Sequence, residues 1–348
     1  MLAFNAVVGN LLRLEFQDGD RRLSPLTTAP WVGQADEVLP EGLAPVEQWL
    51  SGDFLCAPFA TSDVEPAPPH GWSANSEWTV TESDSSRIVA ELDRTIMGAH
   101  LKKVLQLTDS APLLLQEHYI SGGSGGLTLA HHPMVRIRGR GRFSCSPKQL
   151  ALTPEKPLDE GRNRLQCSIS TSDMERIPAS NGETVSLADV PIGDAHEDFV
   201  TLIEANGCTL GWSAVVRFEE DDVVFFLKDP ALLPVTMLWH SNGGRDYAPW
   251  NGRHRGVLGI EDGCTAGAAS HKAALEPNPV SATGVPTALS LHPTTKHRIP
   301  HVIGTIARPG DWSSVLDIRL ADNALILTGD TGKERHLPFP SDFFTKEA

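Results

Sequence analysis

WSAVVRFEEDDVVFFLKDPALLPVTMLW, residues 212–239, holds three short apolar runs: Trp212–Phe218, Val223–Leu227 and Val235–Trp239. Acidic or proline-bearing links separate them. β-Branched and aromatic side chains dominate each run, none repeats at the 3.6-residue period of a helix, and all have the length of an ordinary strand. Runs of the same kind lie upstream at Val7–Phe16, Trp78–Glu82, Arg87–Leu92, His100–Leu107, Leu113–Ile120, Leu127–Ala130, Met134–Arg138, Leu165–Ser168 and Phe199–Ala205. Downstream the series continues at Val257–Ile260, Ala288–Leu291, His301–Ala307, Val315–Leu320 and Ala324–Leu327. The 30 glycines and 26 prolines supply turns between them. Short strands punctuated in this way predict an all-β chain built as a large antiparallel sandwich or barrel. The loop-like stretches 58–69, 144–161 and 276–286 do not qualify as linkers, and no repeat marks a propeller or solenoid. The reading is one domain over residues 1–348.

With 44 Asp and Glu against 29 Lys and Arg, the formal charge of −15 argues against nucleic acid or an anionic membrane as partner. A small neutral ligand suits this balance better. The N-terminal residues carry no basic segment ahead of an apolar one, and no apolar stretch reaches the length of a membrane span. Cysteines 56, 145, 167, 208 and 264 form no Cys-x-x-Cys pair and no disulfide framework. These features lead to the expectation of a cytoplasmic protein.

Several motifs invite chemistry. Gly122-Gly123-Ser124-Gly125-Gly126 matches the Gly-x-Ser-x-Gly of hydrolases, but Leu127-Thr128-Leu129-Ala130 does not open the helix that a nucleophile elbow needs, so a glycine hairpin is expected. His292, His297 and His301 lack familiar metal-ligand spacing and are interrupted by Pro293 and Pro300, so no metal is expected there. Arg136, Arg138, Arg140 and Arg142 read as a solvated row. Glu261 is different. It closes the apolar run Val257–Ile260, where half-apolar surroundings raise a carboxylate's pKa towards the range useful to a general base. Before it, residues 238–250 gather Trp239, His240, Asn242, Arg245 and Trp250 into what reads as one ligand-binding loop.

Three other segments join a histidine or acid to turn residues. In the first, His70 and Asn75 can exchange hydrogen bonds with sugar hydroxyls while Trp72 offers an apolar face. In the second, His131 and His132 adjoin on a strand, so only one enters a given pocket; in the third, Glu197 and Asp198 alternate in the same way.

Taken in order, His70-Gly71, a histidine after Leu127-Thr128-Leu129, an acid before Phe199-Val200 and Glu261 resemble the galactose mutarotase-like superfamily, the aldose 1-epimerases. The run Ser51–Phe59 leading to Pro69-His70-Gly71 is similar to that of hexose-6-phosphate epimerases in the superfamily, although Ala74 and Asn75 stand where those enzymes carry an arginine suited to phosphate. The resemblance implies a β-supersandwich with a carbohydrate cleft and interconversion of α and β anomers by ring opening and reclosure. It implies Glu261 as base, His132 as acid, His70 assisting, and Asp198 on sugar hydroxyls. Trp239, His240, Asn242 and Arg245 would then close one wall, with neither cofactor nor metal. His131 remains an alternative to His132, and Glu197 to Asp198. A carbohydrate-binding protein without activity, or an isomerase or lyase acting on acidic or modified sugars, are the other readings.

Overall fold

A computed structural model describes residues 1–347. Among these, strands build two large antiparallel sheets. The front sheet has eight strands in the order Ser170–Thr171, Lys148–Leu152, Glu197–Glu204, Val235–Ser241, Val257–Cys264, Leu129–His131 and Leu55–Cys56, with Met134–Arg136 also paired to Val257–Cys264. The back sheet has nine, in the order Asp189–Val190, Gly141–Cys145, Gly211–Arg217, Asp222–Lys228, Lys296–Ala307, Leu113–Gly122, Ala99–Leu107, Arg87–Leu92 and Trp78–Ser83. Helix is confined to short turns such as Pro45–Gln48 and His271–Ala274. The all-β, two-sheet architecture expected from the sequence is the one observed.

The unbroken apolar run of Asp222–Lys228 follows from its place in the stack. Val224 and Phe226 turn inward, where they meet Val200, Leu202, Leu238, Leu258 and Ile260 of the front sheet. Val223, Phe225 and Leu227 turn outward beneath a three-stranded sheet, Val315–Ala321, Ala324–Gly329 and Glu334–Pro338, which covers them with Ile318, Leu325, Leu327 and Leu337. A strand buried on both faces has no polar face to alternate with. The outer face of the front sheet is covered only in part. Trp31, Val46, Leu50, Phe54 and Phe59 from the N-terminal loops and Trp250 from a late loop pack against Phe199, Met237 and Trp239 there.

Several boundaries differ from the sequence reading. Val7–Phe16 is not one strand; Leu2–Asn5 and Asn10–Leu14 form a hairpin, with Phe16–Asp18 following. Leu165 makes a single bridge to Ala179 instead of opening a strand. The supposed loop 144–161 contains Lys148–Leu152, a full member of the front sheet. Residues 238–241 belong to a strand, so the loop quoted above begins at Asn242. Gly122 to Gly126 is not a hairpin, because Leu113–Gly122 lies in the back sheet while Gly125–Leu127 pairs with Leu289–Leu291. Gly122, Gly123 and Gly125 take positive φ as the chain passes between them. Glu261 does not end its strand either, since pairing continues through Cys264.

Gly304 faces Phe225 across the back sheet, and a Cβ at Gly304 would lie 2.1 Å from Phe225 Cζ. Leu113 Cδ2 would lie 2.8 Å away as well, and both Phe225 and Leu113 are fully enclosed, so neither can yield. Gly304→Ala is expected to cost about 1–3 kcal/mol through overpacking, read as a lower midpoint in denaturant titration with secondary structure retained.

Candidate functional site

Strand Val257–Cys264 lies between Val235–Ser241 and the strands Leu129–His131 and Met134–Arg136. Its side chains alternate. Leu258 and Ile260 join the inter-sheet core and Asp262 points the same way, whereas Glu261 faces the outer cleft with Trp239 and Phe199 of the neighbouring strands. Gly259 sits opposite Trp239 on that outer face. A Cβ there would be 3.1 Å from Trp239 Cβ and 3.2 Å from Glu261 Oε1, so the missing side chain makes room for the carboxylate.

His132 enters the same cleft from the end of Leu129–His131. Its backbone N–H is shared between Asp53 Oδ1 at 3.0 Å and the Phe54 carbonyl at 2.9 Å, and its ring stacks on Phe54 with centroids 4.6 Å apart. That places His132 Nε2 3.2 Å from Glu261 Oε1. His70 packs edge-on against His132 at 5.0 Å, and Cys56 Sγ lies 3.5 Å from its Nδ1. His70 holds the left-handed φ of 66°, a costly conformation for histidine. Gly71 follows at φ 75°, where a Cβ would come within 2.2 Å of the Ala57 backbone, which explains a glycine after this histidine.

These three groups line a cavity of about 540 Å³, of a size that suits a small ligand. Phe59, Phe199, Trp239 and Trp250 form its apolar wall, Arg245 reaches it from a loop and Glu47 from the helical turn Pro45–Gln48. Trp31, Trp250, Trp239 and His254 brace one another, with centroids 4.8 Å apart for Trp31 and Trp250 and 5.4 Å for the Trp239–His254 stack. Arg245 lies over Trp250 at 4.5 Å. Its Nε donates to Asp159 Oδ2 at 2.6 Å, and Asp159 Oδ1 accepts from Tyr247 Oη at 2.7 Å.

Burial sets the protonation states. It pushes the Glu261 carboxyl well above its ordinary range, and it lowers His132 to about 4 and His70 to about 3. Glu197 is also raised by burial, against the opposing pull of Arg245. Glu261 and His132 stand close enough to pass a proton from one to the other, and such a pair can exchange protons with a hydroxyl placed beside it.

The site residues expected from sequence divide into two groups. Glu261, His132, His70, Trp239 and Arg245 come together at the cleft. The others do not. Asp198 faces the core side of its strand, where it accepts from the backbone N–H groups of Arg164 and Leu165 and pairs with His196 Nδ1 at 2.7 Å. His240, opposite Asp198 in register, shares that inward side. The neighbour weighed against Asp198 is the one turned outward: Glu197 accepts from Trp239 Nε1 and Ser241 Oγ and lies 3.9 Å from Arg245. Asn75 ties loops together through Val46 N–H and the carbonyls of Pro69 and Gly71. Asn242 does so through Gly193 O and Gly256 N–H, and Trp72 stacks under Arg94 at 3.5 Å. Their polar atoms are spent on backbone or turned from the cleft.

Sequence reasoning missed Phe59, Phe199, Glu47 and Asp159. Phe199 was accessible through the alternation with Glu197; Phe59 and Asp159 sit in loops and Glu47 in a single helical turn, whose courses no periodicity records.

His301 leaves the group of His292 and His297, which bind Thr294 and the Ser290 carbonyl locally. It enters the core, where ligand atoms of Asp53, His131 and His301 lie within 4.8 Å of one another. The His131 and His301 rings stack at 4.0 Å and 14°, and a metal lies near the plane of each imidazole it binds, so two nearly parallel rings one above the other cannot converge on one ion. Arg142 pairs with Asp189 and Glu175, and none of the arginines at 136–142 reaches the cleft. Among the described residues no helix is long and apolar enough to cross a membrane.

No protein-family model matches the chain, and no curated protein sequence does. Solved structures do match in fold. One is an Escherichia coli K12 protein assigned provisionally as an aldose 1-epimerase (TM-score 0.54, 12% identity, 84% of this chain and 98% of that one). Another is a galactose mutarotase related enzyme from Lactobacillus acidophilus (TM-score 0.55, 11% identity, 89% and 95%). A third is a galactose mutarotase-like protein from Lactobacillus casei (TM-score 0.52, 11% identity, 87% and 96%). The chain thus has the galactose mutarotase-like β-sandwich fold.

The buried histidines make a pH prediction. Burial lowers His131 and His132 to about 4 and His70, His240 and His254 to about 3, from an ordinary value of 6.5. Below pH 6.5 the unfolded chain takes up protons that the folded chain refuses, so each of these histidines removes about 1.4 kcal/mol of stability per pH unit until the folded value is reached. Glu261, raised in the fold, acts in the opposite sense above pH 4.5 as a single group. Thermal unfolding is therefore expected to fall steeply between pH 6 and 4, and a flat profile in that window would contradict the burial described.

Proposed function

We propose that this chain is an aldose 1-epimerase-like isomerase, converting the α and β anomers of a sugar through the open-chain aldehyde. The observation that carries the reading is the buried contact of Glu261 Oε1 with His132 Nε2, 3.2 Å apart on the floor of an aromatic-walled cleft. Support comes also from the fold, although one fold hosts many activities and the site must bear the argument.

A sugar ring in the cleft would bury its C–H face against the aromatic wall, where the Trp239 and Trp250 indoles stand nearly perpendicular to each other, and present its anomeric end to the pair. Glu261 as carboxylate takes the proton of the anomeric hydroxyl, the C1–O1 bond gains double-bond character, and the C1–O5 bond breaks. O5 takes a proton from the His132 imidazolium. Rotation about C1–C2 turns the other face of the aldehyde to O5, and closure returns each proton. The pair begins and ends with the same single proton, so no net charge is created in a buried place. Burial favours the neutral arrangement of the two groups, and hydroxyls donated to the carboxylate favour the charged one. His70, edge-on to His132, is placed to meet a neighbouring hydroxyl. Arg245 and Glu197 supply further polar atoms at the wall.

Pure anomers of common aldoses, freshly dissolved and followed by NMR, test this directly. The protein should shorten equilibration, and Glu261→Gln and His132→Asn should each slow the catalysed rate by roughly 10² to 10⁴, the usual worth of a positioned acid or base. Full activity in Glu261→Gln would remove the base assignment. Sugar binding by calorimetry without any acceleration would instead mark a carbohydrate-binding protein.

A further inference from the structure

Arg245 is, among the described residues, the only guanidinium or ammonium group lining the cleft, and it is already compensated. Its Nε holds Asp159 Oδ2 at 2.6 Å, and Glu197 Oε2 stands 3.9 Å away on the other side. Both members of the Arg245–Asp159 pair are largely enclosed, at 18% and 17% side-chain exposure, so solvent screens the pair only in part. The acids of the lining itself, Glu47 and Glu261, add no positive charge in any protonation state. We infer that Asp159 is a specificity-determining residue that cancels the charge of Arg245, leaving the site selective for neutral, unphosphorylated aldoses over hexuronates and hexose phosphates. This rests on the epimerase reading for its kinetic form but not for its binding form.

The geometry gives Asp159 two separable jobs. One oxygen neutralises Arg245, while the other accepts the Tyr247 hydroxyl at 2.7 Å and so joins the loop around residue 159 to the loop bearing both partners. A nearby salt bridge, Arg162 to Asp246 at 2.7 Å, ties the same two loops at the surface. With its Nε engaged, Arg245 retains two terminal NH₂ groups as neutral-ligand donors, oriented by Asp159 and by the faces of Trp250 and Trp239. An anionic substrate would bring a carboxylate or phosphate into a place that already holds its counter-charge. Like charges so placed in a poorly solvated site repel strongly.

The test compares glucose and galactose with glucuronate, galacturonate and glucose 6-phosphate, by anomer exchange in NMR and by calorimetric titration of the methyl glycosides of glucose and glucuronic acid. Wild type should favour the neutral sugars at least tenfold in kcat/KM and in affinity. Asp159→Asn, which keeps the shape and removes the charge, should raise the ratio of anionic to neutral sugar roughly tenfold or more. Tyr247→Phe, which loosens the same loops without changing charge, should leave that ratio unaltered. Asp159→Asn combined with Arg245→Gln should lose the gain. Equal or better use of anionic sugars by wild type, or an unchanged ratio in Asp159→Asn, overturns the inference. If wild type accelerates no sugar at all, the epimerase reading fails, and the glycoside titrations still decide the charge preference.

Discussion

The site depends on one constraint, the alternation of side chains along Val257–Cys264 and the adjoining His131-His132 step. Glu261 and His132 face the cleft; Asp262 and His131 face the interior. The inward members are held hard. Asp262 accepts from Thr236 Oγ1 at 2.6 Å, pairs with His301 at 3.0 Å and with Lys228 at 3.1 Å, and Lys228 continues to Glu204, which also binds Lys148. Asp53, in the same layer, accepts from Gln116 Nε2 at 2.7 Å and from the His132 backbone. Breaking a buried pair by removing one partner typically costs about 3–5 kcal/mol, because an uncompensated charge is left behind. A slip of one residue would bring Asp262 into the cleft and Glu261 into this network. Glu261 and His132 are therefore fixed in place from behind, by charges on the far side of the sheet.

Much of the fold was legible because strands buried on one face or on both leave a plain pattern of apolar residues. Val223–Leu227 is the clearest case, since its lack of alternation reflects cover on both sides. The site was legible where chemistry coincides with a backbone demand. His70-Gly71 stands out because the glycine must pass the Ala57 backbone, whereas alternation alone left His131 and His132 as alternatives. Glu197 and Asp198 posed the same choice and it fell the other way, as two acids in succession offer no sign of which faces out. Only the register of Glu197 with Ser241 and of Phe199 with Trp239 decides it. Asn75 and Asn242 misled differently. Amides in turns serve the backbone as readily as a ligand, and here their hydrogen bonds go to the chain itself. Asp159 was beyond reach, since it meets Arg245 across 86 residues.

Identity of 11–12% with proteins of the same fold is compatible with these observations. The sheets ask for apolar volume and alternation, which many sequences satisfy, whereas the cleft asks for particular groups at particular atoms. Part of the cleft wall comes from loops, at Phe59, Arg245 and Trp250, and part from strands, at Phe199 and Trp239, while Glu261 and His132 stand on a strand and at a strand end.

Lys296–Ala307 sits in the middle of the back sheet, between Asp222–Lys228 and Leu113–Gly122. Both neighbours are made long before it. During synthesis each presents an unpaired apolar edge until this late segment leaves the ribosome, and at about 5–20 residues per second that interval lasts several seconds or longer. The nascent chain must spend it without its central strand, open to pairing with other chains. Closure of the back sheet accordingly waits on Lys296–Ala307, and until that strand arrives the two edges rely on whatever else shields them.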